Sequence, residues 1–313
     1  MTARVFIDGE AGTTGLSIRQ RLAGRADITV LSIDPDKRKD AGARAELLNA
    51  ADVVILCLPD DAAREAVGLI DNPEVKIIDP STAHRVAPGW DYGFPEFAPG
   101  QRQAIAASKR VSNPGCYSTG AIALLAPLIH AGLLAADAAL TINAVSGYSG
   151  GGKSMIAEFE EKTAPNYVET PYRLYAMGLE HKHVPEIRVH AGLSFSPVFS
   201  PAVGRYAQGM LVNIPLPLHA LAGRPQKGDL HAALAHAYAG ERFVEVASLD
   251  EAASLKTLEP QALNHTNRMR LFVFGNDDQV MLTAQLDNLG KGAGGAAVQN
   301  LNLMLGLDEG AGL

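Results

Sequence analysis

The chain has 313 residues, enough for two domains or for one large unit carrying an insertion. Hydrophobic residues make up 47% and charged residues 19%, which excludes a disordered chain, and 27 Lys and Arg against 34 Asp and Glu give a net charge of -7 that argues against nucleic acid as a partner. The most apolar tract, residues 120–140, is broken by Pro127, His130 and Asp137, so it reads as a buried helix and its exit, not as a membrane span.

In chain order, residues 4–8 predict a short strand, followed by a Gly-rich turn and a helix with Leu16, Ile18 and Leu22 on one face. Strands at 28–34, 53–58 and 75–78 then alternate with helices at 38–51 and 61–70, the pattern of a parallel sheet covered on both sides. Residues 83–103, with Pro88, Pro95 and Pro99, read as irregular, and 104–111 as a strand. A long helix is expected from Cys116 to about Ala131. Beyond it, strand-like stretches at 140–145, 193–198, 210–216, 243–246, 269–274 and 280–286 have few helices between them, as in a second, α+β domain with a mixed or antiparallel sheet. Residues 292–307 close the chain as a helix able to pack back on the first domain.

The first turn, Gly9-Glu10-Ala11-Gly12-Thr13-Thr14-Gly15, resembles a dinucleotide-binding turn, in which small residues let a pyrophosphate approach a helix N-terminus; a purely structural turn reads equally well on spacing alone. Asp34 ends the second predicted strand, where an acidic group meets the adenosine ribose of a bound dinucleotide. Lys37, Arg38 and Lys39 follow, suited either to a 2′-phosphate or to a solvated helix start. Asp79-Pro80-Ser81-Thr82 with Arg85, and Asp287-Asn288-Leu289-Gly290, sit where a doubly wound sheet binds ligands.

Each of the two cysteines is judged alone, because a pair cannot form a disulfide scaffold in a chain this long. Cys57 lies in a central strand and reads as an inert core residue. Cys116 follows Ser112-Asn113-Pro114-Gly115 at a helix start, where the helix field favours the thiolate. In His181-Lys182-His183-Val184-Pro185-Glu186 the two histidines, on a segment taken as extended, point to one side and suit a base for acyl transfer, the other reading being a solvated loop. Metal-ligand spacing is absent from this segment, and no metal is expected. Residues 146–153, with Ser149 and Lys153, offer backbone amides and a cation to an anion, the other reading being a flexible hairpin turn.

Taken together, FIDGEAGTTGL, SNPGCYSTG, GYSGGGK, HKHVPE and DNLGKGAGGAAVQNLNLMLG resemble the N-acetyl-γ-glutamyl-phosphate reductases of arginine biosynthesis, in their shorter branch, from the first strand to the last helix. The resemblance implies an α/β fold: a Rossmann-type doubly wound parallel sheet (residues 1–115 and 288–313) and an α+β catalytic domain of the glyceraldehyde-3-phosphate dehydrogenase-like type (116–287). It implies NADPH as cofactor, a small-molecule acyl phosphate as substrate and a homo-oligomer, dimer or tetramer; a cytoplasmic location is expected from an N-terminus without a signal-peptide pattern and from cysteines that suit a reducing compartment. Carried over by motif, Cys116 is the nucleophile, His181 the acid/base, and His183 and Glu186 support them. Gly12, Thr13, Thr14 and Gly15 form the cofactor loop, with Asp34, Arg38, Ser81, Asn288 and Gly290 also expected at the cofactor. Where many relatives carry Arg, this chain has Gln208-Gly209-Met210, which makes Arg205 and Lys153, beside Ser149, the candidates for holding the substrate. A related aspartyl or aminoadipyl dehydrogenase, or a non-catalytic dinucleotide sensor, are the alternative readings.

Overall fold

The computed structural model describes residues 2–313. Two compact units divide the chain. The first comprises residues up to Pro95, Gly100–Gly115 and Ala293–Leu313; the second comprises Glu96–Pro99 and Cys116–Gly292.

The first unit alternates β1 (Ala3–Asp8), α1 (Thr13–Leu22), β2 (Ile28–Leu31), α2 (Ala41–Ala50), β3 (Val53–Leu56), α3 (Asp60–Gly68) and β4 (Lys76–Asp79). It continues with the two-residue β5 (Asp91–Tyr92), α4 (Gln101–Ala107) and β6 (Arg110–Ser112), and takes its last helix, α10 (Gly295–Leu305), from the far end of the chain. The six strands are all parallel, in the order β2-β1-β3-β4-β6-β5. Side chains alternate across a strand, and here the alternation separates two cores. Val5, Ile7, Val53, Ile55 and Ile78 face Ile18 and Leu22 of α1, Ile105 of α4, and Ala297, Val298, Leu301 and Met304 of α10. Phe6, Val54, Leu56 and Ile77 face Leu48 of α2 and Ala63 and Ala66 of α3. Residues 104–107, expected as strand, complete α4 instead: Ile105 is buried on a helix, and the strand that follows needs only three residues to pair with β4.

The second unit runs α5 (Cys116–His130), β7 (Thr141–Gly147), α6 (Gly152–Glu160), β8 (Tyr172–Leu174), α7 (Val184–Ala191), β9 (Val198–Gly204), β10 (Met210–Pro217), α8 (Lys227–Ala237), β11 (Val244–Val246), α9 (Leu249–Ser254), β12 (Met269–Gly275) and β13 (Gln279–Leu286). Its seven strands lie in the order β11-β12-β13-β10-β7-β9-β8. The sheet is mixed: β7/β9 and β11/β12 are parallel, the remaining pairs antiparallel. α5 is the hub. Twelve of its residues are buried, and it packs on β10 and β13 and against α7 and α8. The strand expected at 193–198 begins only at Val198, because Phe195 is 69% exposed and has no core to enter.

Candidate active site

The start of α5 gathers the second unit's reactive side chains through three consecutive residues. Cys116, half-buried, opens the helix. The ring of Tyr117 makes an edge contact with His181 at 5.9 Å and a tilted one with His183 at 5.8 Å, and its hydroxyl donates to the Ala202 carbonyl at 2.9 Å. Ser118 donates its hydroxyl hydrogen to the Glu186 carboxylate at 2.7 Å, both residues being fully buried.

The histidine segment turns instead of extending. Residues 181–183 lead into α7, His183 is its N-terminal flanking residue in helical conformation, and Pro185 occupies the first turn, where a missing N–H costs nothing. The two imidazoles nevertheless meet, with ring centroids 4.7 Å apart. The Nδ1 atom of His181 accepts a hydrogen bond from the His183 backbone N–H at 3.1 Å, so the neutral ring is assigned its proton at Nε2. That Nε2 lies 3.3 Å from the hydroxyl of Tyr175, a residue that sequence reasoning missed. Burial drives the Tyr175 phenol well above its ordinary range, and a negative charge at Cys116 pushes it in the same direction. The hydroxyl therefore stays protonated across the neutral range. Burial likewise raises Tyr117, with smaller contributions from Tyr175 and Cys116, which places both phenols within electrostatic reach of the thiol.

Elsewhere in this unit, residues 146–153 form a short 3-10 turn (Tyr148–Gly151) leading into α6, not an open hairpin. Ser149 is buried and accepts from Asn288 Nδ2 at 2.9 Å, while Asn288 Oδ1 accepts from the Gly209 backbone N–H at 2.9 Å. Gly290 is wedged against the Thr266 carbonyl. Lys153 is exposed in the first turn of α6. Arg205 is engaged differently: its guanidinium donates to the carbonyls of Val168 and Phe159 and to the Tyr167 hydroxyl, at 2.6, 3.0 and 3.1 Å.

In the first unit, the turn after β1 carries the dinucleotide-type residues. Gly9 adopts φ +82° with its α-carbon against the Cys57 carbonyl, which would lie 2.2 Å from any Cβ. Gly12 flanks α1 without a side-chain cap, leaving the helix's first N–H groups open to an anion. Thr13 Oγ1 is buried with no hydrogen-bond partner among the described residues, and Thr14 and Gly15 complete the first turn. An orphan hydroxyl beside uncapped amides fits the pyrophosphate of a dinucleotide. Glu10 pairs with Arg19 and, at 3.4 Å, with Arg38.

Asp34 stands three residues beyond the end of β2, where it caps a 3-10 turn by accepting from the Asp36 N–H. Ser81 donates its backbone N–H and its hydroxyl to Asp79, both at 2.8 Å, and His84 Nδ1 reaches the same buried carboxylate at 2.5 Å. Cys57 lies one residue past β3 and is half-buried, not inside the strand. Its thiol is nonetheless driven far up, first by burial and then by Asp79 and Asp8, so it stays a thiol. Asn113, three residues before Cys116, donates to the Ala293 carbonyl and accepts from Asn300, each at 3.0 Å, and its own carbonyl accepts from Arg85 at 3.1 Å.

The chain matches two family models: the NAD-binding domain of semialdehyde dehydrogenases over residues 4–106, and their dimerisation domain over 116–288. It is 55% identical over 318 aligned residues, 99% of each chain, to N-acetyl-gamma-glutamyl-phosphate reductase 2 of a Nostoc strain. It is 54% identical to the reductase of Brucella ovis, over 98% of this chain and 100% of the relative. The chain belongs to the N-acetyl-γ-glutamyl-phosphate reductase family. An aspartate semialdehyde dehydrogenase from Francisella tularensis shares the fold with a TM-score of 0.71 at 15% identity, covering 97% of this chain and 100% of that one. The family's oxidoreductase class agrees with a cysteine at a helix start in one unit and a dinucleotide-type turn in the other. Among the described residues no helix is long and apolar enough to cross a membrane.

Proposed function

We propose that this member of the family catalyses the NADPH-dependent, reversible reduction of N-acetyl-γ-glutamyl phosphate to N-acetylglutamate 5-semialdehyde and phosphate, in the cytoplasm and as a homo-oligomer. The observation that carries the reading is the run Cys116-Tyr117-Ser118, which touches His181, His183 and Glu186 through its second and third members while its first carries the thiol. A carboxylate resists hydride, but an acyl phosphate exchanged onto sulfur does not. The Cys116 thiolate attacks the acyl carbon, the carbon–oxygen bond to phosphate breaks, and phosphate leaves with that electron pair, giving a thioester on Cys116. NADPH supplies the hydride when bound, its pyrophosphate held by Gly12, Thr13, Thr14 and Gly15 and its adenosine end by Asp34 and Arg38. Ser81, Asn288 and Gly290 support the loops beside it.

Reduction of the thioester carbonyl places negative charge on oxygen. The Nε2–H of His181 donates a hydrogen bond to that oxygen and stabilises the charge. The oxygen's electron pair then re-forms the carbonyl, the carbon–sulfur bond breaks with its pair going to sulfur, and the aldehyde and the Cys116 thiolate result while the imidazole stays neutral. His183, by donating its N–H to His181 Nδ1, keeps the proton on the reacting nitrogen, and Glu186, tied to Ser118, anchors α7 to the nucleophile's helix. Lys153, exposed at the start of α6, and Ser149 hold the anionic end of the substrate, and Arg205 braces the same region through Phe159 and Tyr167. The match to a dimerisation domain supports self-association, as a dimer or a tetramer.

Replacing Cys116 with Ala is expected to abolish phosphate-dependent NADP reduction by N-acetylglutamate semialdehyde. Retained activity refutes the mechanism. Comparing kcat/KM for this substrate with the aspartate and aminoadipate semialdehydes tests the substrate assignment, which fails if either competitor is preferred.

A further inference from the structure

We infer that the buried ion pair between Glu96 and Lys291 is a positioning device for the nucleophile, seating the Gly290–Gly294 turn against the first residue of α5. The inference rests on the proposed role of Cys116. The turn is a single π-type turn, a geometry found frequently at functional sites. Within it, Gly292 lies so close to Cys116 that a Cβ there would meet the Cys116 Cβ at 2.7 Å and its Cα at 3.2 Å. The backbone of residue 292 is thus one wall of the nucleophile's surroundings. Lys291, the residue before it, is 1% exposed, and its ammonium donates to both Glu96 carboxylate oxygens at 2.7 and 2.8 Å. The same ammonium lies 5.8 Å from the centre of the Phe243 ring.

The start of the turn is fixed independently. Gly290 and Gly292 both donate to the Asp287 carbonyl, at 3.1 and 3.0 Å, and the fully buried Asp287 carboxylate accepts from the backbone of His265 and Leu289. Glu96 is also close enough to Tyr238 to add to the upward shift that burial imposes on that phenol, whose hydroxyl donates to the Ala123 carbonyl inside α5. The pair therefore reaches the nucleophile's helix by packing through Gly292 at its first residue, and acts electrostatically on Tyr238, which is bonded to that helix two turns further on. Charges this deeply buried add little net stability, since an apolar pair of similar volume commonly does as well. What such a pair supplies is register. It fixes residue 291, and with it the Gly292 wall, to a point 195 residues away in sequence.

The test uses the full-length enzyme with Glu96→Leu and Lys291→Met together, an apolar pair of similar volume. The readout is the rate at which iodoacetamide alkylates Cys116, followed across neutral pH by mass spectrometry of the Cys116 peptide, with folding checked by circular dichroism. Once the wall can shift, the thiolate loses its fixed surroundings, and alkylation at neutral pH is expected to slow about tenfold, as for a thiol pKa displaced by about one unit. In the reductase assay kcat falls while KM holds. A folded double variant that alkylates within about twofold of the wild-type rate overturns the proposal. If the double variant does not fold, Gly292→Ala leaves the pair in place and displaces the wall directly; it must slow the same alkylation, and an unchanged rate overturns the proposal equally. Because alkylation needs no substrate, a failure of the reductase reading appears separately, as wild-type protein with a reactive Cys116 and no reductase activity.

Discussion

Tyr175→Phe removes one oxygen atom and keeps the ring beside His181, so it isolates the hydroxyl that faces Nε2. The 3.3 Å contact is long and joins neutral partners, so its net worth is about 0.5–1.5 kcal/mol. If it orients the imidazole N–H toward the developing oxyanion, that energy is lost from the transition state, and kcat should fall roughly 2- to 12-fold. Substrate binding does not pass through this contact in the proposed mechanism, so KM should hold. The phenol is buried and pushed up, so the wild-type hydroxyl does not titrate in the working range. The variant should therefore change the height of the kcat–pH profile without deleting a limb from it. Steady-state kinetics in the direction of semialdehyde oxidation, over about pH 6–9, measures both quantities around the ordinary histidine range. An unchanged kcat, or a change confined to KM, refutes the reasoning that this hydroxyl orients the imidazole.

Ser118→Ala leaves the buried Glu186 carboxylate short of a 2.7 Å donor and should lower unfolding stability by about 1.5–3 kcal/mol, read from the denaturant midpoint, with a parallel fall in kcat. Lys153→Ala should raise KM for the acyl phosphate roughly 10- to 150-fold, the worth of one charge-assisted hydrogen bond, and leave the KM for NADPH unchanged in steady-state assays. Glu158 is held below its ordinary value of 4.5, chiefly by its hydrogen bond to Arg173. Its stabilising contribution is therefore complete above the unfolded-state value and is lost as pH falls through the lower folded-state value, so Glu158→Gln should flatten the acid limb of a melting-temperature–pH curve below about pH 4.5 and remove a constant amount above it.

The parallel sheet was legible because strands buried on both faces carry apolar residues at every position, as in Val53-Val54-Ile55-Leu56. Strand identity failed where burial is one-sided or absent. Tyr172–Leu174 is an edge strand with both ends exposed, and nothing in three residues separates it from a loop. Alanine-rich residues 104–107 carry no period strong enough to separate helix from strand, and only packing of Ile105 decides. At the site, Cys116, His181, His183 and Glu186 were legible because helix starts and HKHVPE are local signals. Tyr175 was not: it stands six residues before His181 across a segment with positive φ at Ala176 and Leu179, and only the folded turn brings its hydroxyl to the imidazole. The Glu96–Lys291 pair was invisible for a different reason, since charge pairing across 195 residues leaves no trace in spacing.

The helix from Gly295 to Leu305 has a consequence for how the protein is made. Val5 and Ile7 are synthesised long before Ala297, Val298, Leu301 and Met304, which cover part of the apolar face they share. At about 5–20 residues per second, the opening strands wait many seconds for their cover. The intervening segment, Cys116 to Gly292, draws no strand of its sheet from the first unit and needs nothing from that helix to pair them. Assembly of the first sheet thus waits on residues far from it in sequence, and a chain stopped before Gly295 would leave that face to α1 and α4 alone.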